Sequence, residues 1–128
     1  MKNLFSILAA GIILVLSACE GVTYYDHFID NQSSNYLTVI PIKTIGGYID
    51  TIYIAPGETK GIQHSKKPEG DAHFVNPVIF FDTVYVKTGL LTLTKNIMSA
   101  DQWDIQSSRN RTTHRHVYNF TLRDTDFQ

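Results

Sequence analysis

The chain has 128 residues, 43% of them hydrophobic, which fits one globular domain with an ordinary core. Its 11 basic and 12 acidic residues leave a formal net charge of −1, and this near neutrality argues against nucleic-acid binding, which usually needs a strongly basic face. Cys19 is the only cysteine, so a disulfide within the chain is excluded.

Residues 1–18 have the pattern of a signal peptide. Lys2 supplies a positive charge, and an apolar run from Leu4 to Leu16 follows, interrupted only by Ser6. A helix that spans a bilayer needs about 20 apolar residues, so this run is too short to be one. We therefore predict an exported protein from which this segment is removed.

The run ends in Leu16-Ser17-Ala18-Cys19, which resembles the lipobox of bacterial lipoproteins. The resemblance implies cleavage before Cys19, diacylglycerol on its thiol and a further acyl chain on the new amino terminus. Two or three chains, such as palmitate, hold a protein on a membrane almost permanently. Glu20 follows the cysteine, and the lack of an aspartate there favours the outer membrane. An ordinary secretory signal beside an unrelated cysteine is the alternative.

Residues 19–26 are predicted to form a lipidated tether, and residues 27–128 the folded domain. β-branched and aromatic runs between turn clusters predict strands. These strands are Tyr25–Asp30, Tyr36–Ile45, Tyr48–Ala55, Glu58–Gln63, Val78–Lys87, Leu90–Thr94, Trp103–Gln106 and a last strand around Tyr118. Pro41 indicates an edge strand or a bulge, because proline cannot donate to a sheet ladder.

Turn signals separate these strands. Gly46-Gly47 predicts a hairpin, and Pro56-Gly57 suits a type II turn. The polar stretch from His64 to Phe74 is predicted to be a loop. Ser99-Ala100-Asp101-Gln102 matches a capping box, which favours one helical turn.

The last strand alternates most clearly, with Tyr118, Phe120 and Leu122 on the face that should meet the core. The segments 48–54 and 80–86 also repeat one pattern, in which Tyr53 and Tyr85 should face away from the core. Seven or eight short strands predict an all-β fold, an antiparallel two-sheet sandwich that could be immunoglobulin-like. A small barrel is the alternative.

Several segments of the mature chain carry a second, looser resemblance. They are Asp30-Asn31-Gln32-Ser33-Ser34, residues 50–58, Trp103 and Tyr118-Asn119-Phe120-Thr121-Leu122. Together they resemble small, mostly uncharacterised lipoproteins of Bacteroidetes-type bacteria. The resemblance implies an envelope β-sandwich and no particular activity. The Lys/Asp/Glu-rich export signal that some of these proteins carry is not evident after Cys19, so periplasmic and surface-facing locations both stay open.

The same resemblance implies a candidate modification. Such bacteria O-glycosylate exported proteins at Asp-Thr or Asp-Ser followed by an apolar residue. Asp50-Thr51-Ile52 and Asp82-Thr83-Val84 match, which makes Thr51 and Thr83 candidate sites. We favour the simpler interpretation, that both are ordinary strand threonines.

The densest polar segment runs from Arg109 to His116. Arg109, Arg111, His114, Arg115 and His116 could together bind an anion or a glycan carboxylate at a hairpin tip. A solvated loop that protects a sheet edge is the alternative and the one we favour. We predict no metal site, because His27, His64 and His73 have no spacing that would complete a zinc site.

Aromatic residues are plentiful, and exposed aromatic rows can stack on sugars or partner proteins. The candidates are Tyr24, Tyr25, Tyr36, Tyr48, Tyr53, Tyr85 and Trp103. Packing of these residues within strands is the alternative, and we favour it for most of them. Catalytic motifs are missing: the sequence has no nucleophile elbow, zincin helix or phosphate loop.

We therefore predict a non-catalytic, lipid-anchored protein of the cell envelope without a cofactor. It would bind a protein or glycan partner, or have a structural role. A small periplasmic hydrolase with acid and base residues in its loops is the alternative. An exposed aromatic patch on a flat sheet would favour binding, and a pocket with perturbed carboxylates or histidines would favour hydrolysis.

Overall fold

A computed structural model describes residues 21–43, 47–48, 50–68 and 75–128. The strands in these ranges are β1 (Val22–Asn31), β2 (Leu37–Lys43), β3 (Gly47–Tyr48), β4 (Ile52–Ile54), β5 (Thr59–Lys67), β6 (Phe81–Lys87), β7 (Asp104–Asn110) and β8 (Thr113–Leu122). Short 3₁₀ helices cover Pro77–Phe80, Ala100–Gln102 and Asp124–Asp126. In the part of the chain described, no helix has the length and apolar character needed to cross a membrane.

The strands form two sheets that pack face to face. Sheet A has the order β5-β1-β8-β7, in which β1 and β8 run parallel and the other neighbours antiparallel. In sheet B, β2 pairs with β3 and β4 on one side and with β6 on the other, always antiparallel. The predicted all-β two-sheet sandwich is confirmed. The parallel pairing of the first and last strands was not predicted.

The core lies between the two sheets. Tyr118, Phe120 and Leu122 of β8 are fully buried, as their alternation predicts. They meet Leu37 and Val39 of β2, which are also buried. Burying a large apolar side chain contributes about 1.5–3 kcal/mol, so these inward rows supply much of the stability of the sandwich.

The folded domain begins earlier than the sequence indicates. The predicted tether, residues 19–26, includes the first half of β1, because Thr23 and Tyr25 already point inward and are buried. Of the tether, Cys19 and Glu20 lie outside the described residues, as does the predicted signal peptide. The domain therefore starts about 10 Å of chain after Cys19.

β5 also differs from its prediction. It continues to Lys67, so His64–Lys67 belong to a strand and not to the predicted loop. Polar residues dominate there because β5 is the edge of sheet A, and charged side chains on an edge oppose pairing with other molecules. His73, in the remainder of the predicted loop, lies outside the described residues.

Two other predicted strands are altered. The predicted strand Tyr48–Ala55 is divided between β3 and β4. Leu90–Thr94 is not a strand, and only single bridges from Leu91 and Leu93 stand in its place. Local sequence cannot distinguish such bridges from a ladder, because the pairing depends on distant partners.

Short 3₁₀ turns occur at two places where the sequence predicts a strand or a capped helical turn. At the start of the predicted strand Val78–Lys87, Pro77 opens a 3₁₀ turn, and the Asn76 side chain accepts a hydrogen bond from the Val78 amide. The single turn predicted at residues 99–102 is present, but the Ser99 side chain makes no capping bond to the backbone. Its hydroxyl bonds the Asp101 carboxylate instead.

Pro41 lies in the central strand of sheet B and not on an edge. β4 pairs with residues 37–39 and β3 with residues 42–43, so Pro41 sits between the two ladders. A register shift follows at Ile42/Lys43 in the pairing with β6. The predicted bulge is therefore adjacent to the proline. Gly46 of the predicted Gly46-Gly47 hairpin lies outside the described residues.

The Pro56-Gly57 turn matches its prediction. The Glu58 amide donates to the Ala55 carbonyl at 3.1 Å, and Gly57 has φ 77°, as a type II turn requires. We expect Gly57→Ala to lower the free energy of unfolding by about 1–2 kcal/mol, because alanine tolerates positive φ poorly. Gly61→Ala is the control for urea unfolding: its added carbon would lie 3.5 Å from the Phe28 ring, an ordinary contact. Equal losses in the two variants would contradict this explanation.

Candidate functional site

The outer face of sheet B carries three exposed tyrosines. Leu37, Val39 and Pro41 point into the core, so the alternate positions of β2 face outward. Tyr36, Tyr53 and Tyr85 are 75%, 67% and 52% exposed. We call the surface formed by Tyr36, Thr38, Ile40, Ile42, Tyr53 and Tyr85 the tyrosine face.

Strand register sets the geometry of the tyrosine face. Tyr53 on β4 lies opposite Thr38, and Tyr85 on β6 lies opposite Ile40, two residues further along β2. Two strand spacings and two residue rises place the Cα atoms of Tyr53 and Tyr85 about 12 Å apart. Two large aromatic side chains thus stand apart on a partly aliphatic surface.

The repeated sequence pattern accounts for this symmetry. β4 and β6 flank β2 on its two sides, and Ile54 and Val84 of these strands are buried. The adjacent tyrosines must then point to solvent, because side chains alternate along a strand. The prediction that Tyr53 and Tyr85 face away from the core is confirmed.

A charged cluster occupies the outer face of sheet A. Asp26 on β1 is 5% exposed, and its carboxylate accepts a hydrogen bond at 2.9 Å from Nη1 of Arg115. Nδ1 of His64 bonds the other carboxylate oxygen. The Tyr24 ring lies beside both of these side chains: its centre is 5.0 Å from the Arg115 guanidinium and 5.8 Å from the His64 ring. Both oxygens of Asp26 are therefore engaged.

A cleft of about 470 Å³ lies next to this cluster. Asp26 and His64 form one part of its wall, and Phe28, Ile52 and Lys43 line other parts. Clefts of this size can hold small molecules. Ser65, the next residue on β5, accepts a hydrogen bond at 2.6 Å from the Gln63 amide.

His27 belongs to the core and not to a site. It is fully buried among aromatic rings, with the Tyr118 ring centre 4.6 Å away. Its Nε2 lies 2.9 Å from the Pro77 carbonyl, a donor geometry for the neutral ring. Burial lowers the pKa of His27 from 6.5 to about 4.

The predicted Arg/His group is divided between two faces of β8. His114 and His116 point inward and are buried, and His116 stacks on Tyr25 with ring centres 5.3 Å apart. Arg115 points outward to Asp26. The alternation of the strand separates neighbours in sequence, so the five residues do not converge on one anion.

The two other arginines of that group flank the β7–β8 turn. Arg109 and Arg111 are exposed, and Nε of Arg109 donates to the Arg111 carbonyl at 2.8 Å. Arg111 has φ 55°, which a residue with a side chain seldom adopts. These side chains are therefore displayed to solvent at one end of sheet A.

The remaining predicted site residues lie apart from one another. Thr83 is half-buried on β6, opposite Ile42 of the tyrosine face, and Thr51 is half-buried just before β4. Cys19 lies outside the described residues. Across the described ranges, no group of three or more His, Cys, Asp or Glu side chains could hold a metal ion.

Carboxylates with shifted pKa values serve structural roles. The Ser34 amide and hydroxyl donate to Asp124 and lower the pKa of that carboxyl. The Ala55 amide lowers the pKa of Glu58, and the Ser99 hydroxyl that of Asp101. All three carboxylates anchor turns, and none of them lines the cleft.

The sequence predicted that Tyr53 and Tyr85 face outward, but it did not predict the tyrosine face or the Asp26 cluster as groups of residues.

Comparisons of the chain with models of protein families, with curated proteins and with solved structures found no match.

Proposed function

We propose that this chain is a lipid-anchored, non-catalytic protein of the cell envelope that binds a partner through the tyrosine face. The observation that carries the proposal is the set of three tyrosines, each more than half exposed, on one outer sheet surface. Tyrosine is enriched at binding hot spots because it combines a large apolar ring with a polar tip.

A protein partner fits this surface better than a glycan. Ile40 lies opposite Tyr85, and Ile42 extends the same face by two residues, so both contribute apolar area. Sugar hydroxyls call for several amide or carboxylate groups, whereas the residues paired with Thr38 and Ile42 across β6 are Lys87 and Thr83.

The anchor is a separate part of the proposal, resting on the lipobox at Leu16–Cys19. Mature protein would carry palmitate at Cys19 and lie on the outer membrane. Cys19→Ala should abolish labelling with palmitate and leave the precursor uncut. Undiminished labelling in this variant would contradict the assignment of Cys19.

Site-specific crosslinking in cells tests the tyrosine face. Benzoylphenylalanine at position 53 or 85 should yield one discrete crosslinked envelope protein, identified by mass spectrometry. The controls are Gln106 and Ser108, which are exposed on β7 in sheet A. Tyr85→Ser should lower the crosslinking yield at position 53 more than tenfold, because truncating a hot spot typically costs 2 kcal/mol or more. Equal crosslinks from both sheets would overturn the proposal.

The same tyrosines should matter little for folding. We expect Tyr53→Ser and Tyr85→Ser each to change the free energy of unfolding by less than about 1 kcal/mol, since most of each side chain is in water. Urea titration followed by the fluorescence of Trp103, the single tryptophan, measures this. A loss above 2 kcal/mol would show that the tyrosines are structural.

The Asp26–His64 pair beside the cleft favours a second candidate, a small hydrolase. Its test is Asp26→Asn and His64→Gln against a panel of ester, amide and glycoside substrates. Turnover that both substitutions abolish would support the hydrolase over the binding function. Its residues would then lie on β1 and β5 and not in loops.

A further inference from the structure

One end of sheet A collects basic side chains. In register, Lys67 lies opposite Thr23 at the start of β1, and Lys66 and Arg115 lie on either side of Tyr24. Arg109 and Arg111 flank the adjoining turn. These five residues are exposed, and we call them the basic end: Lys66, Lys67, Arg109, Arg111 and Arg115.

The chain enters the domain at this same end. The Val22 amide donates to the Thr112 carbonyl at 3.1 Å, inside the turn that carries Arg111. Only residues 20 and 21 separate Val22 from Cys19, which is about 10 Å of extended chain. A lipid on Cys19 would therefore hold the basic end against the membrane surface.

Tyr24 adds an aromatic component to the basic end. Its ring centre is 6.0 Å from Nζ of Lys66 and 5.0 Å from the Arg115 guanidinium. Tyrosine beside long cationic side chains is typical of segments at the membrane–water interface, where apolar stems and polar tips meet different surroundings.

The opposite end of sheet A has nearly balanced charges. Its acidic residues are Asp30, Glu58, Asp124 and Asp126, and its basic residues are Lys60, Lys95 and Arg123. The ten residues of β8 separate the two ends by about 33 Å. Charge on sheet A is thus arranged along the strands, with the basic end nearest the anchor.

We propose that the basic end binds anionic phospholipid headgroups and holds the domain upright on its membrane, with the opposite end of sheet A pointing away. This inference rests on the proposed lipidation of Cys19. An anionic leaflet attracts each nearby lysine or arginine by about fivefold in binding constant. Asp26 is buried and paired with Arg115, so it offsets the charge of that one arginine among the five basic residues.

The test uses the full-length lipidated protein in vesicles. A fluorophore is attached to Thr112→Cys at the basic end or to Thr125→Cys at the opposite end, both exposed threonines. Acylated Cys19 does not react. With a headgroup quencher in vesicles of phosphatidylglycerol and phosphatidylcholine, we expect quenching at position 112 at least fivefold above that at 125. The difference should shrink in pure phosphatidylcholine or in high salt.

Charge variants complete the test. The double variant Arg109→Gln, Arg111→Gln should reduce the preference for the orientation with the basic end at the membrane about 25-fold. The control double variant Lys87→Gln, Arg123→Gln should leave this preference unchanged. Protein that fails to float with vesicles would overturn the anchor and this inference with it. Floating protein with equal quenching at both positions, or with no lipid dependence, would overturn the orientation alone.

Discussion

Asn31→Ala is expected to lower the free energy of unfolding by about 3 kcal/mol. Asn31 ends β1 and is fully buried where the two sheets meet. Its Nδ2 donates to the carbonyls of Asn35 at 2.8 Å and Ile54 at 3.2 Å. Its Oδ1 accepts from the Ser33 amide and hydroxyl. Alanine would leave several buried groups without partners, and each such group costs about 1–3 kcal/mol.

The position of Asn31 explains why so large an effect is expected. Its backbone amide donates to Glu58 and its carbonyl accepts from Gly57, so three segments meet at this one residue. Gln32→Ala is the matched control, because Gln32 is the exposed neighbour and its side-chain amide donates to the half-buried Asp30 carboxylate. We expect the control to change stability by less than about 0.5 kcal/mol in urea titrations. Similar losses in both variants would contradict the buried-network explanation.

Acid should destabilise the protein through His27. The pKa of His27 is about 4 in the folded chain and 6.5 as its ordinary value, so the unfolded chain binds a proton first as pH falls. The destabilisation caused by His27 is therefore absent above about pH 6.5, and it grows as the pH falls toward 4. A shift of this size corresponds to about 3 kcal/mol in total.

His27→Phe isolates this contribution. Phenylalanine keeps the aromatic contacts with Phe80, Phe81, Trp103 and Tyr118 but cannot bind a proton. It also leaves the Pro77 carbonyl without its donor, so we expect a loss of about 1–2 kcal/mol at pH 7.5. Urea titrations give the free energy of unfolding at pH 7.5 and at pH 5. The loss between these two pH values should be about 2 kcal/mol smaller in the variant than in the parent chain. An unchanged difference between the two pH values would contradict the assignment to His27.

The residues expected to control stability and those proposed to bind lie in different parts of the sandwich. Asn31 and His27 lie in the interior, whereas the tyrosine face and the basic end lie on outer surfaces. Variants of Tyr53 or Arg111 should therefore change binding or orientation without unfolding the domain. This separation makes the crosslinking and quenching experiments interpretable.

Local sequence determined those features whose physical cause is local. The alternation of Tyr118, Phe120 and Leu122 predicts a strand with one buried face, because side chains alternate whatever the strand pairs with. Pro56-Gly57 predicts its turn, since proline restricts φ and glycine tolerates positive φ. The repeat around Tyr53 and Tyr85 likewise predicted which side chains face outward.

Tertiary structure alone decided what lies beside what. Pairing of β1 with β8 joins the two ends of the described chain and places Arg115 beside Asp26. Pairing of β1 with β5 places His64 beside the same carboxylate. It also turns His114 and His116 inward, although they are separated only by Arg115 in a polar segment. Which face of a strand is buried depends on the sheet that covers it, and that sheet is built from residues far away in sequence.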